Sequence, residues 1–500
     1  MPGRTAYDFV VIGAGSAGCA VAAGLADANA GSVAVVEAGP TDAHPFVKMP
    51  FALIWLMGSR RDWRFKSAPQ KALGGRQIKI PRGKMLGGSG SINSMVWFRG
   101  RADDFDGWNV PGWSWAEVEP AFAEVEAKLT PTEFGSPHPS VQKLGQLFGA
   151  NTLANPTPER ESGGVFRFNM RRNKRWSAAD AFLRPAQAKG VTVITEKEVQ
   201  RLGFEGQTAR DVIFKDGSKL HATRGIILSA GSIGSPAILL QSGVGPAAEL
   251  AAQNIDVVLD APGVGANLHD HPGAGLHFQG PNAGYGISFK QAAGWLAAPF
   301  DYILRRKGRL ASPTVEGGMF FNATGEDKTP DLQTHFIPFF LNWKGSRYVP
   351  GTGYFADICI CRPKSRGALR LTDKGISIDF NLLSDPADLD LMVAGLKRLR
   401  SLLAEAGIPG TEAYPGPACQ TDDQLRDYIK AHCGTAYHPV GTLRMGQGDA
   451  PVTPRLALRG LQNLWVADAS VMPAITSANT NAPSMMIGHR AGQMIAKDAA

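Results

Sequence analysis

The chain has 500 residues, 44% hydrophobic and 19% charged, a balance that suits folded domains with sizeable cores and excludes a disordered chain. Lys and Arg outnumber Asp and Glu by 52 to 44, for a net +8. The basic residues are scattered, with their densest cluster at Arg171–Trp176 (RRNKRW), so the pattern implies a surface that favours anionic partners and excludes a nucleic-acid-binding module.

In chain order, residues 7–12 (YDFVVI) are a short apolar strand, GAGSAG follows, CAVAAGLADA is helical, and residues 32–37 (SVAVVE) form a second buried strand. That is a β–α–β unit. With its start so near the first residue, no secretory signal is expected. From 65 to 113 the chain is rich in Gly and Arg, without the periodicity of long helices; residues 115–128 are an amphipathic helix. VTVITE, ARDVIFKDG and GIILSAG, between 191 and 231, read as strands. A mixed stretch from about 275 carries FQG, GGMFFNATG, DLQTHFIPFF, FADICICRP, ALRLTD and ISIDFNL, mostly strand-like, and helical residues 389–407. This predicts an antiparallel sheet, unlike the opening. TDDQLRDYIKAHCG is helical with Thr421 as N-cap and Gly434 as its stop. NLWVADAS (463–470) is one more strand and APSMMIGHRAGQMIAKDA the last helix. The fold class expected is α/β joined to α+β.

No apolar run reaches the roughly 18 residues of a membrane span, so no integral membrane segment is expected. The five cysteines (Cys19, Cys359, Cys361, Cys419, Cys433) are odd in number and lack zinc-site spacing, which points to core thiols in a reducing, cytoplasmic setting.

Gly13-Ala14-Gly15-Ser16-Ala17-Gly18 follows a strand and opens a helix. The first glycine permits the tight turn, the second lets a pyrophosphate approach the backbone, and the third lets helix pack on strand. Amides at the helix start bind phosphate. Glu37 closes the second strand at the interval expected of a ribose 2′-hydroxyl ligand. Together these predict a bound dinucleotide.

Four further blocks, RGKMLGGSGSINSMVWFRG (82–100), GSIGSPAILLQSGVG (231–245), HPVGTLRMG (438–446) and VADASVMPAITSANTNAPSMM (466–486), resemble the glucose–methanol–choline (GMC) oxidoreductases, a flavoprotein family. The resemblance runs from the first strand to the last helix and is weakest between about 275 and 420, where such enzymes build substrate pockets. It implies a Rossmann-type FAD-binding domain made of residues 1–150, 190–275 and 425–500, and a substrate-binding domain made of 151–189 and 276–424. It also implies FAD contacts at Gly13, Gly15, Ser16, Gly18, Glu37 and Ala38. The second block brings Arg82, Gly87, Gly88, Asn93 and Met95 to the flavin end. Val199, Ala230 and Gly231 match the adenine side, and Tyr437, Asp468, Ala469, Ala482 and Pro483 match contacts further along the cofactor. Some choline-oxidising relatives attach FAD covalently through a histidine just before the asparagine; here that position is Ile92, so noncovalent FAD is expected.

The family's active pair is a histidine in HPVGT and a histidine or asparagine just before the last helix, which the resemblance places at His438 and Asn481. Chemically, a neutral imidazole accepts a hydroxyl proton near pH 7, and an amide holds the same oxygen so that the carbon sits over the flavin. Pro483 suits a helix start, whose positive end would then face the flavin. The expected reaction is oxidation of a small primary alcohol, aromatic or heteroaromatic, with electrons passed to O₂ or another acceptor; a choline-type or aliphatic alcohol is the alternative substrate. A hydroxynitrile lyase with structural FAD is the alternative of another class.

His269-Asp270-His271 resembles a metal triplet, but two side chains at i and i+2 seldom converge without a distant third ligand, so no metal is expected. His335 reads as a sheet residue with a pocket role as the second choice. Glu316 matches a carboxylate that meets cationic substrates in choline-oxidising relatives, although a backbone-anchoring role is favoured for it.

Overall fold

The computed structural model describes residues 4–149, 153, 158–325, 329–340, 342–344, 347–349 and 351–498. The opening unit forms as strand Ala6–Ile12, helix Ser16–Asp27 and strand Val33–Val36. Both faces of these strands are covered, which is why they read as unbroken apolar runs. The parallel core is ordered Thr192–Ile194, Val33–Val36, Ala6–Ile12, Lys219–Leu228 and Leu464–Val466. The strand Lys219–Leu228 serves two neighbours on one side. Its start pairs antiparallel with Thr208–Phe214, which turns back into Val199–Glu205, while Ile226–Leu228 pair in parallel with Leu464–Val466. Gly225 stands at this fork, where a Cβ would lie 2.3 Å from the Trp465 ring.

The C-terminal helix, Asn481–Asp498, packs along the helix of the glycine loop. Their close approach needs glycine: a Cβ on Gly488 would fall 2.3 Å from the Ala17 carbonyl oxygen. The two ends of the chain therefore meet over one sheet.

The second sheet is antiparallel, ordered Thr411–Tyr414, Pro272–Gln279, Gly351–Ile360, Leu332–Ile337, Gly317–Phe321 and Ser162–Val165. Its side chains alternate as the pleat requires. Tyr354, Ala356, Ile358, Thr334 and Phe336 are buried in the core, while Phe355, Asp357, Cys359, His335 and Ile337 line a cavity on the other face. Three details depart from the sequence reading. ALRLTD and ISIDFNL form their own hairpin, Ala368–Thr372 with Gly375–Asp379, outside this sheet. The strand Pro272–Gln279 runs through the domain boundary placed at 275, and Gly434–Thr435 pair with its start, so the segment just after 425 joins the antiparallel sheet. Finally, Phe289–Phe300 is a helix that the strand-like reading passed over.

Candidate active site

A cavity of about 920 Å³ lies between the two sheets. One wall comes from the carboxyl ends of the parallel strands, where open α/β sheets bind ligands: Gly13, Gly15 and Ser16 after the first strand, Glu37 and Ala38 after the second, Ala230 and Gly231 after Lys219–Leu228, and Asp468 and Ala469 after Leu464–Val466. Arg82, Gly88, Asn93, Met95, Val199, Tyr437 and Asn481 line it as well. Gly18, Gly87, Ala482 and Pro483, expected as contacts, are not part of the lining and act through the backbone beneath it. A Cβ on Gly18 would sit 1.9 Å from the Gly13 carbonyl oxygen, and the Gly87 amide donates to Ala14 O at 2.7 Å. Ala482 and Pro483 lie buried in the first turn of the C-terminal helix.

The glycine wall has the form of a dinucleotide cradle. A Cβ on Gly15 would meet nothing nearer than 4.0 Å, so this backbone is bare toward the cavity, whereas one on Gly88 would strike Gly15 Cα at 2.8 Å. Glu37 is anchored by the amides of Ala14 (3.0 Å) and Gly39 (2.9 Å), and burial pushes its pKa up to about 7. Asp468 accepts from Gly231 N (2.9 Å), Ser235 Oγ (2.6 Å) and Ser470 N (2.8 Å), and burial raises its pKa. Asn481 accepts from Ser16 Oγ at 2.7 Å, while its Nδ2 is buried without a partner. Ser232 Oγ and Thr314 Oγ1, also on the lining, are likewise buried and unpartnered. Buried polar groups left open around one cavity fit a polar ligand that supplies their hydrogen bonds. The donors, the two acids and the glycine cradle together suit FAD.

At the other end of the cavity the pair expected from the sequence is corrected. The side chain that meets His438 is Asn479, whose Nδ2 lies 3.0 Å from His438 Nε2; Asn481 is turned toward Ser16. Asn479 precedes the helix and projects from the loop, whereas Asn481 is already in its first turn. Gln333 Nε2 donates to Asn479 Oδ1 at 3.0 Å, which orients the amide with Nδ2 toward the histidine.

His438 is placed by a strand-like pairing of its loop with residues 269–273. Val440 and His269 exchange backbone hydrogen bonds, Ala436 N donates to His271 O at 2.9 Å, and His438 N donates to the Asp270 carboxylate at 2.9 and 3.0 Å. This sets His271 Nδ1 3.0 Å from His438 Nδ1. The proton positions follow from what each atom can do. Thr476 O, 3.0 Å from His271 Nε2, only accepts, so His271 carries its proton on Nε2 and offers a lone pair at Nδ1. His438 then donates from Nδ1, leaving the Nε2 lone pair facing Asn479 and the cavity. Burial, with His271, His335 and Arg82 nearby, holds His438 well below the usual histidine pKa. It is a neutral base at pH 7. The triplet His269-Asp270-His271 thus has a distant third neighbour, since Asp270, His271 and His438 offer ligand-type atoms within 4.8 Å of one another. In the structure these atoms hold the loop and fix the tautomer. His271 was missed as a site residue because only its pairing with a segment 167 residues away reveals it.

His335 does reach the cavity, with Nε2 3.4 Å from Asn479 Nδ2 and Nδ1 3.2 Å from Asp357. Burial pulls its pKa down, but the Asp357 carboxylate outweighs this and holds it above the ordinary value. Glu316 does not reach the cavity. It is fully buried, accepting from His138 N at 2.6 Å and Ser312 Oγ at 2.7 Å, so it anchors two loops. Glu316→Ala is expected to lower unfolding stability by about 1–3 kcal/mol, because both donors lose their acceptor. Urea unfolding would measure this, and KM for the alcohol is expected to stay unchanged.

The GMC oxidoreductase family models match residues 7–273 and 363–488. An alcohol dehydrogenase [acceptor] of Pseudomonas putida is 35% identical, over 98% of this chain and 96% of its own. An oxygen-dependent choline dehydrogenase of Rhizobium etli is 34% identical over 98% and 95%. Among solved structures, pyridoxine 4-oxidase from Mesorbium loti superposes with a TM-score of 0.84 at 26% identity, covering 97% of this chain and 98% of that one.

Proposed function

Because the chain belongs to the GMC oxidoreductases, FAD-dependent enzymes that oxidise alcohols, we propose that it converts a primary aromatic or heteroaromatic alcohol to the aldehyde with His438 as the base. FAD, when bound, supplies the hydride acceptor. His438 Nε2 takes the hydroxyl proton, and Asn479 Nδ2 donates to the same oxygen as it gains negative charge. The glycine cradle, Glu37 and Asp468 hold the cofactor, and Ile92, which offers no nucleophile, leaves it noncovalent. Acid precipitation should therefore release the yellow flavin into the supernatant.

The observation that carries this reading is the proton chain from Thr476 through His271 to His438, which leaves one unprotonated nitrogen facing the cavity. Phe355, His277, Tyr437, Trp63 and Phe65 line the cavity and favour a flat ring. With Glu316 buried outside the cavity, the carboxylate that the sequence matched to a cation site cannot serve a choline-type substrate. Anaerobic bleaching of the flavin against benzyl, furan, pyridoxine and choline alcohols tests the proposal. Aromatic alcohols are expected to bleach it; bleaching by choline alone would overturn the substrate class. Peroxide release or dye reduction then tells whether oxygen or another acceptor takes the electrons.

A further inference from the structure

No helix among the described residues is long and apolar enough to cross a membrane. One helix nevertheless turns an apolar face outward. Along Phe289–Phe300 and the turn that continues it to Arg305, the residues Phe289, Leu296, Phe300, Ile303 and Leu304 recur at helical spacing and are 62% to 100% exposed. The helix is held firmly from behind. Trp295 packs on Phe51 (5.7 Å between ring centres) and Phe339 (5.8 Å), and Tyr302 Oη donates to Lys48 O at 3.2 Å. Phe51 in turn touches Trp55, in a short helix, Leu53–Leu56, that exposes Ile54 and Trp55 beside Met57. Ile54 and Met57 also line the cavity, so the apolar face continues to its mouth.

The rim of this face is cationic. Residues 286–312 carry five basic side chains (Lys290, Arg305, Arg306, Lys307, Arg309) against one acid, Asp301, a balance of 5 − 1 = +4. Asp301 lies 3.9 Å from Arg305. The basic hairpin at Met170–Arg175 joins the same rim, since Asn173 Nδ2 donates to Arg306 O at 2.8 Å and Arg171 and Arg172 are exposed. The cluster that stood out in the sequence without a role is thereby brought beside the apolar stripe.

A contiguous apolar surface marks an interaction site, and an apolar stripe edged by Lys and Arg has the chemistry of an element lying in a lipid interface. We propose that this face docks the protein on an anionic phospholipid surface, with the mouth of the cavity at the level of the headgroups. A second copy fits less well, because self-pairing through the stripe would bring two basic rims together.

Flotation of the full-length, flavin-loaded protein with vesicles tests this, comparing phosphatidylcholine alone with phosphatidylcholine–phosphatidylglycerol mixtures. The protein is expected to float with the anionic vesicles and to be released by high salt. Leu296→Ser, Phe300→Ser and Leu304→Ser together should weaken partitioning by about tenfold or more, while turnover of a small soluble alcohol is retained. Arg305→Gln with Lys307→Gln should weaken it on anionic vesicles only. Failure of the unaltered protein to float, flotation untouched by the triple substitution, or a dimer in sedimentation that the triple substitution abolishes would each overturn the proposal.

Discussion

Alanine at His438 is expected to lower turnover by about 10²–10⁴, the usual worth of a general base, while the protein still binds yellow FAD. The retention follows from geometry: the cradle groups Gly13, Gly15, Glu37 and Asp468 lie at the ends of the parallel strands, and the His438 ring bonds to His271 and Asn479 rather than to any of them. His271 cannot take over, because its ring centre is 5.2 Å from that of His438 and its Nε2 is committed to Thr476 O. The pH profile gives a second readout. His438 is the base only when unprotonated, and its pKa is held below the ordinary histidine value of 6.5. In the unaltered enzyme kcat/KM should therefore stay level through neutral pH and fall only as acid protonates Nε2, below the usual histidine range. That acid limb should vanish in His438→Ala. Turnover that is unchanged in the variant would remove His438 from the mechanism.

Asn479→Ala and Asn481→Ala are expected to fail in different ways. Removing Asn479 takes away the donor 3.0 Å from His438 Nε2 and should lower kcat by about 10²–10³, as loss of one oxyanion donor does, with flavin content unchanged. Removing Asn481 takes away the partner of Ser16 Oγ and the unpartnered amide nitrogen at the cofactor end of the cavity. That variant should be purified with less flavin, and excess FAD should restore its turnover. Flavin absorbance per mole of protein and kcat at saturating FAD separate the two. If Asn481→Ala lost turnover with its flavin content intact and Asn479→Ala did not, the pairing with His438 would be reversed.

The two asparagines show where sequence reading is strong and where it stops. SANTNAP signals a polar amide at a helix start, but which of two residues two apart faces the histidine depends on where the first helical turn begins. The helix begins at Asn481, whose side chain is taken by Ser16 Oγ from the other end of the chain, and this leaves Asn479 in the loop to meet His438. Glu316 is a different case: the sequence offered a substrate carboxylate but favoured a backbone anchor, and burial against His138 N and Ser312 Oγ puts it in the anchoring position. The local pattern marks His271 only as part of a metal-like triplet, since its place beside His438 exists only once residues 269–273 lie alongside 434–440.

The opening β–α–β unit and the glycine loop with Glu37 are set by short-range rules of strand period, glycine geometry and helix start, so the sequence by itself determined the fold class and a dinucleotide cradle, while the flavin and His438 as the proposed base came from the resemblance of longer blocks to the GMC family. Three features were decided only by tertiary structure: the partner of His438, the tautomer it holds, and the gathering of an apolar stripe with two separate basic clusters on one rim. Each depends on side chains brought together by sheet pairing across long stretches of chain, and no local pattern encodes that distance.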